Sequence, residues 1–310
     1  MATPVLIIGK SGAGKSTSMR NCSGNDDWNV IRVLNKPLPF KGKINGWKTD
    51  DYQTVMKCLY SAKAKNIVLD DAGYLITNQF MNGHASQGAG NAIFSFYNKI
   101  GDSFWNLITF ITDKLPEEKI VYIMMHEEQN DFGQIKAKTI GKILDEKVCI
   151  EGMFTIVLRC IEESGKHLFV TQSADGAISK SPMGMFDSYA IDNDLAYVDA
   201  KIRNYYEIGD NFLSDEEMAD IDEINKRTEI EPPKPRSERK RRKASDVAEA
   251  VEEAKAEVES NQPLRQRKSR DEATGLDLAT DYGAITPDTN EVKEFNPDEE
   301  TPKRRRRRTE

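Results

Sequence analysis

Apolar residues in the first two hundred positions fall into short continuous runs, and these runs alternate with stretches of helical spacing. Pro4-Val5-Leu6-Ile7-Ile8, Val30 to Leu34, Asn66-Ile67-Val68-Leu69 and Ile120 to Met125 are such runs. Their length and their β-branched content predict strands buried on both faces. Between them, Lys15 to Cys22 reads as a helix, and Thr49 or Asp50 is placed to cap a helix running through Ala62. From Asn91 to Leu115, Phe94, Tyr97, Phe104, Leu107, Ile108 and Ile111 recur at helical spacing until Pro116 stops the pattern. Phe154 to Cys160 and His167 to Gln172 flank the turn Glu163-Ser164-Gly165-Lys166, which predicts a strand pair. Strands alternating with helices imply an α/β fold with a mainly parallel sheet between helices. In such a fold, ligands bind at the carboxyl ends of the strands.

The chemistry-bearing residues gather at those ends. Gly9-Lys10-Ser11-Gly12-Ala13-Gly14-Lys15-Ser16-Thr17 follows the first strand directly, with the complete spacing of a phosphate-binding loop. Its glycines let successive backbone N–H groups turn toward one anion. Lys15 then reaches the β- and γ-phosphates of ATP, and the Ser16 hydroxyl is a ligand for Mg²⁺. Asp70 closes an apolar run, as the Walker B carboxylate does, and is the second Mg²⁺ ligand. Asp71 follows as a candidate to orient the attacking water, with Glu127 and Glu128 as alternatives. His126 ends the strand expected beside that of Asp70, from which it either senses the γ-phosphate or is merely structural. The stretch from Asn130 to Lys142 has two glycines and little periodicity, and reads as a mobile loop. Its Lys136, Lys138 and Lys142 suit a nucleic-acid backbone.

Composition limits the folded part. Of 310 residues, those up to about Thr228 look globular, whereas Pro232-Pro233-Lys234-Pro235 opens a stretch poor in aromatics and rich in charge. The organisation read from this is a body over 1–205, an acidic helical segment over 206–228 with its helix from Glu207 to Asn225, and a disordered charged tail over 229–310. The tail carries 19 Lys and Arg against 20 Asp and Glu, leaving 25 against 31 in the rest. Within it Arg239 to Lys243 and Lys303 to Arg308 are basic blocks. Cys22, Cys58, Cys149 and Cys160 form no C-x-x-C pair and read as reduced core thiols, and three histidines are too few for a His/Cys metal cage. With no signal peptide and no apolar run long enough for a bilayer, the expected location is the cytoplasm.

The body resembles the RecA-like, AAA-type ATP-binding proteins of bacteriophages associated with single-strand annealing and recombination. The resemblance is carried by Val5 to Gly9 leading into the loop, Ile67 to Asp71, Val121 to Glu127, Lys138-Thr139-Ile140-Gly141-Lys142, and Lys180-Ser181-Pro182-Met183-Gly184-Met185-Phe186. It implies a RecA-like P-loop ATPase core acting on single-stranded DNA, as a homo-oligomeric ring or filament, with phage single-strand-binding or replication proteins as partners. It also implies that Lys136, Lys138 and Lys142 face DNA and that Lys180 or Arg159 touches nucleotide held by a neighbouring subunit. A P-loop kinase and a nucleotide-gated interaction module with little turnover are the alternatives. The sparse arginines between Arg32 and Arg159 count against the kinase.

Overall fold

Val5, Leu6, Ile7 and Ile8 have no exposed surface, because their strand, β1 (Thr3–Gly9), lies in the interior of the sheet. The protein is described here by a computed structural model covering residues 1–233 except 88–89, 131–132, 141–142, 175 and 211. The tail expected to be disordered, with both basic blocks, lies outside these residues from position 234 on, as does Lys142. The remaining strands are β2 (Trp28–Arg32), β3 (Asn45–Lys48), β4 (Asn66–Asp70), β5 (Ile120–Gln129), β6 (Ile135–Ala137), β7 (Ile156–Glu163), β8 (Lys166–Val170) and β9 (Ala190–Asp192). They form one nine-stranded sheet in the order β3-β2-β4-β5-β1-β7-β8-β9, with β6 paired to β5. All neighbours from β3 to β7 run parallel, and β8, β9 and β6 are antiparallel.

Successive side chains of a strand face opposite sides, and both faces here are covered. Leu6 and Ile8 pack with the helices α1 (Tyr52–Ser61), α2 (Gly73–Gly83) and α3 (Asn91–Lys114). Val5 and Ile7 pack with a 3₁₀ helix at Ser16–Cys22, with α4 (Leu195–Tyr206) and with Met218 of α5 (Asp215–Asn225). The fold is therefore α/β, a mostly parallel mixed sheet between helices. Fully buried aromatics such as Phe104 of α3 lock the layers, each worth about 3–5 kcal/mol against truncation to alanine. No helix among the described residues is long and apolar enough to cross a membrane.

The helix expected over Lys15 to Cys22 is present, as a 3₁₀ helix over Ser16–Cys22. Several local expectations are corrected. Neither Thr49 nor Asp50 caps α1. Asp51 does, accepting the Thr54 N–H at 2.7 Å, while Asp50 bonds the Asn78 amide at 2.9 Å. The acidic helix cannot start at Glu207, because that residue ends α4 in a left-handed conformation (φ 51°). It begins instead after Ser214, whose hydroxyl and the Glu217 carboxylate make a capping box. The described part of the stretch from Asn130 to Lys142 holds a strand: Gly133 turns the chain, Asn130 brackets Gln134, and β6 returns along an extended β5. His126 is thus inside β5, not at its end. Cys149 is exposed, whereas the other three cysteines are buried.

Candidate functional site

β1 ends between two neighbours, with Gly9 in register with His126 on β5 and Cys160 on β7. A Cβ at Gly9 would stand 2.6 Å from the Cys160 carbonyl oxygen, so only glycine lets the chain leave the sheet here. Gly14 has φ +100°, and a Cβ there would meet the His167 ring at 2.7 Å. The loop rests on a small floor. The Cys160 thiol donates to the Ala13 carbonyl at 2.8 Å, and the Asn193 amide donates to Cys160 Sγ at 3.1 Å.

Lys15, only 6% exposed, folds back so that Nζ donates to the Gly9 and Lys10 carbonyls, both at 2.8 Å. It lies 3.5 Å from His126 Nδ1. Burial holds its ammonium below the ordinary lysine value. The Ser16 hydroxyl donates to Asp70 Oδ1 at 2.8 Å. Asp71, 3% exposed and with φ 60°, turns the chain out of β4; its carboxylate pairs with Lys36 and stands 3.7 Å from His126 Nε2. Burial pushes the Asp70 carboxyl above the ordinary range, the Asp71 charge adds to this, and the Ser16 bond opposes it. Burial also lowers His126, with Lys15 beside it adding to the shift, so its imidazole is neutral at neutral pH. A cavity of about 230 Å³ joins Gly12, Gly14, Lys15, Ser16, Asp71 and His126.

Of the other residues picked out from the sequence, Glu127 and Arg159 meet across the end of β1. The Arg159 guanidinium grips the carboxylate bidentately at 2.8 and 2.9 Å, and both residues line a cavity of about 440 Å³ with Lys10, Ser11 and Ala13. Arg159, expected to reach a neighbouring subunit, is engaged within its own chain. Glu128 pairs with Lys136 at 3.4 Å on the β5–β6 hairpin. Lys138 lines a third cavity of about 530 Å³ with Tyr74, Thr77 and His126. Lys180 is apart from this cluster, held by a mutual backbone bridge to Val157 three residues before Cys160. Lys36 was missed by sequence reasoning; its only signal was its place just past the carboxyl end of a parallel strand.

Mg²⁺ prefers oxygen ligands, keeps several waters and is usually held by one or two carboxylates together with phosphate. Ser16 Oγ and Asp70 Oδ1, 2.8 Å apart, fit such an ion. Among the described residues no group of three or more His, Cys, Asp or Glu could hold a metal ion by itself. Two such oxygens leave the rest of the ion's shell to waters and other ligands. No protein-family model matches the chain, and no curated protein matches it.

Proposed function

We propose that this chain binds ATP with Mg²⁺ on the loop Gly9–Thr17 and hydrolyses it, as a RecA-like P-loop ATPase stimulated by single-stranded DNA. The observation that carries the reading is the contact between Ser16 and Asp70 at 2.8 Å, beside the buried Lys15. An oxygen at the start of the 3₁₀ helix and one at the end of β4 meet there and would hold a metal, next to a cation that rests on two backbone carbonyls with His126 Nδ1 3.5 Å away. Lys15 would exchange those carbonyls for phosphate oxygens, and Ser16 and Asp70 would hold the cation. Bound Mg²⁺ would supply charge neutralisation at the β- and γ-oxygens. Neutral His126 donates a hydrogen bond to the terminal phosphate, and Asp71 or Glu127 orients the attacking water.

All three candidate bases are engaged by a cation, Asp71 by Lys36, Glu127 by Arg159 and Glu128 by Lys136. That favours a second reading, a nucleotide-gated module whose turnover stays low until a partner opens one of these pairs. The DNA part of the proposal is supported by the resemblance and by Lys136 and Lys138 on the hairpin that extends from His126. Assembly into a ring or filament, and partnership with phage single-strand-binding or replication proteins, belong to the same proposal. Phosphate release from Mg-ATP, with and without single-stranded DNA, is the test. DNA-stimulated release abolished by Lys15→Ala is expected. Tight binding without release selects the gated module, and absence of nucleotide binding overturns both.

A further inference from the structure

The segment after α5 is seated as a strap along β9. Lys226 forms an antiparallel bridge with Ile191, the Arg227 N–H donates to the Ala190 carbonyl at 3.0 Å, and the Arg227 guanidinium pairs with Asp192. The strap helps to wall a cavity of about 500 Å³ whose other lining includes Thr17, Arg20, His167 and Asn193. Pockets of this size take small molecules, the usual range being about 300–1,000 Å³. Thr17 also lines the cavity over the loop, so the two volumes meet at the residue after Ser16.

The site has a direction. Lys15, Asp70, Asp71 and His126 concentrate on the β4–β5 side of the loop, and Thr17 opens toward β8 and β9. A phosphate chain with its terminal group at His126 leaves its other end at Thr17, where whatever is esterified to it enters the larger cavity. Two buried polar atoms of the lining residues have no hydrogen-bond partner among the described residues, His167 Nδ1 and Asn193 Oδ1. Asn193 is 2% exposed, and its amide orientation is set by the bond from Nδ2 to Cys160 Sγ, which leaves Oδ1 as an acceptor without a donor. A nucleoside offers both ribose hydroxyls and polar base edges. The planar guanidinium groups of Arg20 and Arg227 suit the faces of a base.

We propose that this cavity receives the nucleoside moiety of the nucleotide and that the strap closes it, so that occupancy and the seating of the strap on β9 are coupled. This rests on reading the loop as a triphosphate site. Arg227 holds the strap down through Asp192 and faces the cavity, so a ligand touching it binds the seated state better than the lifted one.

Calorimetric titration of the full chain with Mg-tripolyphosphate and with Mg-ATP separates the two readings, since tripolyphosphate makes only the loop contacts. Both are expected to bind, with ATP roughly tenfold tighter or better. Arg227→Ala should remove that advantage and leave tripolyphosphate affinity within about twofold. A measurement on the unaltered protein stands beside it: ATP should slow tryptic cleavage after Lys226 and Arg227, and tripolyphosphate should not. Equal affinities for the two ligands, equal protection, or an ATP advantage that survives Arg227→Ala would overturn the proposal. Failure of either ligand to bind overturns the loop reading itself.

Discussion

Two clusters of buried charge sit on the same sheet, one at the loop and one near the amino ends of β4 and β5. In the second, Asp199 accepts from the Tyr122 hydroxyl at 2.8 Å, the Asn66 amide at 3.1 Å and the Arg203 guanidinium at 3.0 Å. Arg203 also donates to Asn66 Oδ1 at 2.7 Å and to the Glu118 carbonyl at 3.2 Å. A hollow of about 200 Å³ lies beside it, yet these groups complete one another from within the fold. At the loop Lys15 rests on backbone carbonyls, Asp70 on a hydroxyl, and three cavities adjoin the cluster. Burial of charge therefore does not mark a site. The proposed reading of the loop rests instead on uncharged partners for Lys15 and Asp70 beside open volume.

The sharpest test of this contrast is to remove one cation. Lys15→Ala should lower kcat for ATP hydrolysis by about 10²–10³ or more, as loss of one preorganised donor does, while the unfolding midpoint stays nearly unchanged. Wild-type turnover in a steady-state phosphate-release assay would break the comparison at its functional end. Asp199→Ala should do the reverse. Removing one partner of a buried pair costs about 3–5 kcal/mol, so denaturant unfolding should shift strongly while turnover of the folded fraction holds. A loss of kcat without loss of stability would place the network in the site.

Asp70→Asn separates stability from function in one residue. Its folded-state pKa is raised by burial and by Asp71, so the folded protein holds that proton more tightly than the unfolded chain does, and stability falls as pH rises through the window above 3.8. At neutral pH the amide removes this penalty. Melting of the ligand-free variant should rise by about 2 °C while Mg²⁺-dependent turnover disappears, and a drop in melting temperature would contradict the strain assigned to that carboxylate. The smallest effect concerns His126. Its pKa is lowered by burial and by Lys15, so the unfolded chain takes the proton first, and stability is lost as pH falls below 6.5. Comparing melts at pH 7.5 and 5.5, His126→Gln should be less acid-sensitive than the parent by about 1–2 °C. Identical acid sensitivity would mean that another group titrates.

What could be read from the chain was local. β1, the loop after it, β4, the first part of β5 and α3 each carry their signal within a single window, as continuous apolar runs, fixed glycine spacing or a repeating apolar stripe. β3 was missed because Asn45-Gly46-Trp47-Lys48 has almost no strand signal and pairs only as an edge. α4 was missed although Asp194 followed by Leu195, Val198 and Ile202 has both a cap and a stripe. Cooperative contacts were out of reach altogether. Lys36 meets Asp71 only because β2 lies beside β4, and Arg159 meets Glu127 only because the chain leaves the sheet at Gly9. The winding of Ser16–Cys22 was equally hidden, since α and 3₁₀ turns use similar residues.

The margins of the sheet limit how copies of this chain can associate. β3 offers four residues with exposed Lys48, and three-residue β9 already has its outer side bridged by Lys226. Such short, charged or covered edges give a foreign strand few backbone groups to template on, which disfavours aggregation by edge pairing. Pairing along these edges is therefore the association least open to the described part of the sheet.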